Sequence, residues 1–582
     1  MLAFTAATPR ERRDFWLFLL LALVILGAGI GLRDPWPSDE PRFALAAWQM
    51  VESGNWLFPH RGSELYADKP PMLMWLEAAS FELTRIWRLA FMLPSLLASL
   101  GTLVLVYDLG RRLWSRRTGL YAAGGLLLAF QFVYQGQRAQ IDPLVVFFIT
   151  AANWGLLRHL LAPPGRATHW PAFWFGCFCA GLGVITKGVG FIALFMLVPY
   201  AWAALRGWDG VTHPGRGAWW RWLLGLAAVL AAIALWLVPM LLVATARDAD
   251  PTYAAYVHDI LFKQTAKRYA DAWHHLHAWW YYLPILLFSW LPFSLLYPGC
   301  VPRWWCALKA RDARVLLPLA WVVLVLAFFS ASPGKRDVYI LPALPMLALA
   351  CAPFVGELLP QRWLRAAGLV FIALLGALML GAGWYALHGH APRVARFATD
   401  YGLTDGGAAL WWMAIVLGVV QLALVAVLRL RHALLAVAAG MAALWLAWGF
   451  WAVPQLNAAS SSGALMAKVR SHLAPGDELG LVAWKEQNLL MLGRPAVDFG
   501  FKVPWHLQFA RAVQWQAQAP ATRWLFVQQP AMGRCVDRAR AVDLGYANRR
   551  EWWMFRADAL VPGCLPPASV DEAPDGETGA GL

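Results

Sequence analysis

Thirteen continuous apolar stretches of about 17–25 residues run through this chain, and nothing else constrains its fold as strongly. They lie near residues 15–32, 87–107, 118–134, 143–161, 172–186, 189–205, 222–244, 279–298, 315–331, 338–356, 366–387, 408–428 and 433–453. In hydrocarbon every backbone amide must be paired internally. Runs that are apolar throughout, with no alternation, do so as helices and not as barrel strands. Of the 582 residues, 60% are hydrophobic and only 14% charged, against about 25% charged in a soluble chain. A mean hydropathy of +0.50 excludes a soluble enzyme. Disorder is excluded too, because it needs low hydrophobicity. The reading is a polytopic α-helical membrane protein with about thirteen transmembrane helices.

Lysine and arginine number 49 and aspartate and glutamate 34, a formal charge of +15. In a soluble protein this would point to nucleic acid, but here the excess sits in short loops. Arg10, Arg12 and Arg13 precede the first span, and Arg111, Arg112, Arg116 and Arg117 follow the second. Further clusters, among them Arg158 with Arg166 and Arg429 with Arg431, follow every second span. All fall on one side if the N-terminus is cytoplasmic. The first apolar run reads as an uncleaved anchor, since no small-residue cleavage site leads into a soluble domain. This predicts residues 1–454 as a transmembrane domain and 455–570 as a small α/β domain on the periplasmic side. Strands are expected at Leu479–Ala483, Arg494–Phe499 and Trp524–Gln528, and a helix at Gly463–His472. Residues 571–582 read as a disordered acidic tail. Seven cysteines without a CxxC pair argue against a metal or redox motif. Cys535 and Cys564 alone lie in the outer domain and are expected to pair there, with two separate buried thiols as the alternative.

The two long loops among the spans, about 33–86 and 245–278, both fall outside and hold most of the ionisable and aromatic groups. That disfavours an ATP-driven machine, and Gly181–Gly188 lacks the Gly-Lys-Ser/Thr order of a phosphate loop. In Pro37-Ser38-Asp39-Glu40-Pro41-Arg42-Phe43, Ser38 or Asp39 suits a helix cap and Pro41 a first turn. Phe43, Ala46, Ala47 and Met50 share one face, as on a helix lying along the membrane surface. Asp39 and Glu40 are either a dipole-favoured pair or carboxylates facing a polar cavity. A second helix start is read at Asp68-Lys69-Pro70-Pro71, with Asp68 as cap. There Lys69 opposes the dipole, a hint that it faces a phosphate. Arg138, Asp142, Lys187, Lys335, Arg336, Asp337 and Tyr339 crowd the outer span ends, where charge is costly unless paired or wet. A structural Arg138–Asp142 pair is the plain alternative. His274, His275 and His277 suit either a metal or an interfacial belt with Trp279 and Trp280.

These segments together resemble the GT-C superfamily of integral membrane glycosyltransferases. The similarity is to the bacterial branch of lipid A aminoarabinose transferases and protein-mannosyltransferase-like enzymes. It rests on Ser38-Asp39-Glu40-Pro41-Arg42-Phe43, Ser53-Gly54-Asn55-Trp56, Asp68-Lys69-Pro70-Pro71, Gln137-Arg138-Ala139-Gln140-Ile141-Asp142, Gly181–Gly188 and Tyr339-Ile-Leu-Pro342-Ala-Leu-Pro345. It covers roughly residues 10–460. The resemblance implies an inverting transferase in the bacterial inner membrane. Its donor would be a sugar on undecaprenyl phosphate, and its acceptor lipid A or another envelope glycan. Asp39, Glu40 and Asp142 would be catalytic. Lys69, Arg268, Lys335, Arg336 and Tyr339 would hold the donor phosphate, and Arg42, Tyr66 and Arg138 the substrate. A divalent metal at Asp68, His274 and His275 is left open, since Asp68 stands where these enzymes often carry glutamate. The alternatives are a protein O-mannosyltransferase-like enzyme and a non-enzymatic transporter or flippase of lipid-linked sugars. Transporters usually show internal repeats and broken midplane helices, and no clear repeat is evident.

Overall fold

Every one of the thirteen apolar segments is helical in the computed structural model, which describes residues 8–161, 168–213, 216–247, 249–262, 276–389, 392–403, 405–548 and 550–570. Among the described residues, eight helices are long and apolar enough to cross a membrane, and nine if Tyr282–Ser289 and Phe293–Lys309, bent by 95°, form one broken span. The chain is a multi-pass membrane protein. The other four expected spans are helical but shorter or more polar. Helix α1, Pro9–Leu26, carries five charges in its first turns. The segment at 116–136 breaks at Ala129. Trp170–Lys187 is diluted by Trp, Pro and Gly, and Gly190–Leu205 is short. Helix α1 also ends six residues before the expected 32, where Gly29 and Gly31 take positive φ. A Cβ on Gly29 would lie 3.0 Å from the Gly449 carbonyl, so this glycine is used for close packing.

Small residues set the packing inside the bundle, as they do where lipid supplies no hydrophobic drive. Helices Ile141–Leu160 and Trp170–Lys187 touch through Gly155 and Gly176, where a Cβ on Gly155 would come within 2.7 Å of Gly176 Cα. The basic residues expected on one side meet at one end. Arg116 reaches Glu11 at 3.5 Å, and Arg314 donates to the Leu113 carbonyl at 3.3 Å.

At the other end lies helix α2, Glu40–Ser53, followed by a two-residue hairpin, β1 His60–Arg61 with β2 Glu64–Leu65, and helix α3, Met72–Thr84. Phe43, Ala46, Ala47 and Met50 are buried as the face pattern predicts, but so are Ala44 and Leu45. Helix α2 is therefore buried on more than one face. It is enclosed on two sides, because the C-terminal unit covers the face left over by the bundle.

That unit is a five-stranded sheet in the order β4-β3-β5-β7-β6, built from β3 Glu478–Val482, β4 Val497–Asp498, β5 Arg523–Gln528, β6 Val542–Ala547 and β7 Arg550–Phe555. Strands β4, β3 and β5 are parallel, and β7 and β6 are antiparallel additions. The three expected strands are present, Arg494–Phe499 shortened to β4. The hairpin β6–β7 was not foreseen, its alternation being masked by Trp552 and Trp553. Leu481, Phe526 and Met554 face one side, packed with Leu465, Met466 and Val469 of the expected helix Gly463–His472. Leu45 of α2 belongs to this same buried cluster. Val482, Leu525 and Val527 face the other side, covered by Phe509 and Ala512. Cys535 and Cys564 are joined in a disulfide with Cα atoms 5.2 Å apart. The tail 571–582 lies outside the described residues.

Candidate functional site

The N-cap of α2 is Asp39, but its side chain makes no cap hydrogen bond. The carboxylate is turned instead between two guanidinium groups, 3.9 Å from Arg42 and 3.9 Å from Arg336. Its neighbour behaves differently. Glu40 is fully buried and accepts from Arg33 Nη2 at 2.7 Å, from the Trp36 amide at 2.9 Å and from the Ala139 amide at 3.0 Å. Burial pushes its pKa up, but the Arg33 guanidinium and the Trp36 amide outweigh that and hold it below the ordinary 4.5. Glu40 thus anchors α2 to the Gln137–Ala139 turn, which Arg33 also reaches through the Gln137 carbonyl at 3.2 Å.

From Asp39 an alternating series of charges runs into the C-terminal unit. Arg42 Nε lies 3.3 Å from Glu486 Oε1, and Arg61 Nη1 lies 3.4 Å from the same oxygen. Arg61 is 3.8 Å from Asp68, which is 3.6 Å from Lys502. Arg61 also stacks over Phe501, 3.9 Å from the ring centre. The series Arg336, Asp39, Arg42, Glu486, Arg61, Asp68 and Lys502 alternates cations with carboxylates. Beside it Tyr66 is buried, and its hydroxyl has no hydrogen-bond partner among the described residues; the same holds for Arg61 Nε. Burial raises the Tyr66 phenol above its ordinary 10.0, so it stays a neutral donor. Unsatisfied buried donors are costly unless a ligand completes them.

A second cluster joins the first through a short segment. Lys187, at the end of its helix, pairs with Asp142 in the first turn of Ile141–Leu160, and its ammonium lies 5.2 Å from the Tyr339 ring centre. Tyr339 follows Arg336 by three residues, so one segment serves both clusters. Arg138 donates to the Tyr134 hydroxyl at 2.9 Å; the Arg138–Asp142 pair does not form. Lys335 is 3% exposed and donates to the carbonyls of Ser332 at 2.6 Å and His277 at 3.0 Å. A buried ammonium needs such acceptors, so Lys335 ties two loops together.

Helix α3 begins at Met72 with Pro71 as N-cap, so Asp68 and Lys69 sit in the bend ahead of it and Asp68 is no cap. Burial raises the Asp68 pKa, but Lys502, Arg61, Arg42 and Lys69 together bring it below the ordinary 3.8. Among the described residues, the charged groups near Asp68 are cations. No group of three His, Cys, Asp or Glu with metal-binding geometry occurs among the described residues. His274, His275 and Arg268 lie outside those residues. Arg33, Arg61, Glu486 and Lys502 escaped the sequence reading. A charge at the end of a span that finds a carboxylate seven residues on was a usable signal for Arg33. Glu486 and Lys502 carried none, since only the docking of the sheet unit brings them to the loop.

A helical membrane bundle whose charged end is closed by an α/β unit is an architecture seen in solved structures. ArnT from Cupriavidus metallidurans, solved bound to undecaprenyl phosphate, superposes with a TM-score of 0.72 at 20% identity, over 94% of this chain and 99% of that one. Its apo form gives 0.69 at 19% identity, over 97% and 99%. The family model described as dolichyl-phosphate-mannose-protein mannosyltransferase matches residues 17–246. An undecaprenyl phosphate-alpha-4-amino-4-deoxy-L-arabinose arabinosyl transferase of Pectobacterium carotovorum is 32% identical over 384 residues, 63% of this chain and 64% of that protein. The protein of the same name from Pseudomonas aeruginosa is 32% identical over 390 residues, 65% of each. The chain thus spans a little under two thirds of the length of these relatives.

Proposed function

We propose that this chain is an inverting glycosyltransferase that moves 4-amino-4-deoxy-L-arabinose from undecaprenyl phosphate to lipid A. The observation that carries the reading is Asp39, a carboxylate released from helix capping and held between Arg42 and Arg336 in a cluster of alternating charges. The names of the curated relatives support the donor. In this reading the N-terminus is cytoplasmic in the bacterial inner membrane. Residues 1–454 form the catalytic membrane domain and 455–570 the periplasmic unit.

The donor breaks its bond between the anomeric carbon and a phosphate oxygen, and the leaving phosphate gains charge. Lys69, Arg268 and Arg336 stabilise it. A lipid A phosphate, already ionised at neutral pH, attacks from the opposite face, forms the new bond to the anomeric carbon and inverts it. No base is then required, and Asp39 positions the sugar through its amine. With a hydroxyl acceptor Asp39 takes the proton instead. Tyr66, Arg42 and Arg138 orient the sugar, while Asp142 with Lys187 and Tyr339 shapes the neighbouring wall.

The match of residues 17–246 to the mannosyltransferase family model favours one second reading, transfer of a hexose to a protein hydroxyl. Mass spectrometry of lipid A and envelope proteins from a deletion strain beside its complemented parent separates the two. Loss of an aminopentose from lipid A supports the first, and loss of hexose from proteins the second. Release of undecaprenyl phosphate from the lipid-linked sugar by purified protein supports a transferase over a transporter. Unchanged lipid A would overturn the proposal.

A further inference from the structure

The C-terminal unit grips the first inter-span segment at three places that need no buried charge. Leu45 of α2 is sealed in the sheet's own core. Ser63 donates to Asp498 through its amide at 2.9 Å and its hydroxyl at 2.7 Å. The Lys502 amide donates to Glu64 at 3.2 Å. Glu486 is a different kind of contact. It opens the helix Glu486–Leu492, is 5% exposed, and presents one oxygen to two arginines of the opposite segment. Taking three charges out of water for the sake of docking is a poor use of them, because apolar packing of the same volume often does as well or better.

We infer that Glu486 is a positioning residue for sugar transfer: through Arg42 it holds Asp39, and through Arg61 it holds Asp68. The inference rests on the transferase reading above. Without the carboxylate, Arg42 and Arg61 face each other across a buried gap. Like charges in low dielectric repel, so each turns towards its remaining acid or towards water. Either movement shifts Asp39 relative to a bound sugar, and a misplacement of about 1 Å costs on the order of a hundredfold in rate. The C-terminal unit then completes the site and is not merely attached to it.

The test uses the full-length chain purified in detergent, with Glu486→Gln, Glu486→Asp and, as control, Glu478→Gln, an exposed acid of the same unit paired with Arg523 at 2.6 Å. Two readouts are taken. In hydrogen exchange, Glu486→Gln should speed the amides of residues 37–47 several-fold, while Glu486→Asp and Glu478→Gln stay near wild type. In turnover with undecaprenyl-linked aminoarabinose and lipid A, Glu486→Gln should lower kcat at least about tenfold with KM nearly constant. Glu486→Asp should recover most of it, at unchanged melting temperature. Wild-type exchange and kcat in Glu486→Gln would overturn the inference and leave the transferase reading intact. Equal loss in Glu486→Gln and Glu486→Asp with lowered melting temperatures in both would assign Glu486 to stability alone and overturn it as well. No transfer by the wild-type chain would overturn the transferase reading, while the exchange data still decide whether Glu486 holds the segment.

Discussion

Asp39 and Glu40 are adjacent carboxylates with opposite fates, and the difference is one of partners. Asp39 faces two guanidinium groups at 3.9 Å, beyond direct hydrogen-bond distance, so its carboxylate oxygens are not saturated by them. Asp39→Asn is therefore expected to lower transfer by at least about a hundredfold while the melting temperature stays at the wild-type value; turnover and melting of the purified variant check both. Glu40 is saturated, and its removal leaves Arg33 buried and unpaired. Glu40→Gln should destabilise the chain by about 3–5 kcal/mol, read as a lower melting temperature in detergent. Its folded pKa lies below the ordinary 4.5, so the stability it contributes is complete above 4.5 and is lost as pH falls through the folded value. The destabilisation in Glu40→Gln should accordingly shrink towards low pH. Lys69 adds to the field that keeps Asp68 ionised. Lys69→Ala should reduce turnover about tenfold and Lys69→Arg much less; equal activity in the two variants would leave Lys69 without a role in the phosphate site.

At the scale of elements, α3 carries an internal cost. Glu77 is fully buried in it, and neither carboxyl oxygen has a hydrogen-bond partner among the described residues. Burial, with the nearby charge of Glu40, raises its pKa well above the ordinary 4.5. Between 4.5 and that raised value the folded chain holds a proton that the unfolded chain has released, so stability falls as pH rises. Glu77→Gln removes this linkage. The variant should melt close to wild type at pH 5 and increasingly above it towards pH 8; a constant difference across that range would contradict the assignment. The elements of the C-terminal unit are tied by the bridge Cys535–Cys564, which spans 29 positions. A loop of that size is worth about 3.5 kcal/mol in the chain-entropy account. Cys564→Ser should lower the melting of the sheet unit and leave the eight long membrane helices inserted, and peptide mapping without reduction should recover the two cysteines in one fragment.

For the whole molecule, legibility followed the range of the interaction involved. The apolar runs, the basic clusters and the start of α2 at Glu40 were readable because they depend on residues close in sequence, through hydrocarbon thickness, helix period and capping. The short strands β3 and β5 were readable for the same reason, while β6 and β7 with Trp552 and Trp553 were not. Asp39 was picked out by motif, but its escape from capping was not visible, since Arg336 is almost three hundred residues away. The alternative of an Arg138–Asp142 pair is not realised, because Lys187, from another helix, pairs with Asp142. The two carbonyls that hold Lys335 were likewise not legible, since one belongs to His277, far along the chain. By itself, then, the sequence determined a membrane-spanning helical chain, its small α/β end and the inventory of charges available to a site. Only the tertiary structure decided which charges meet. Asp39, Arg42, Arg61, Asp68, Glu486 and Lys502 come from segments more than four hundred residues apart, and Coulomb attraction acts over a few ångströms of space, whatever their separation along the chain.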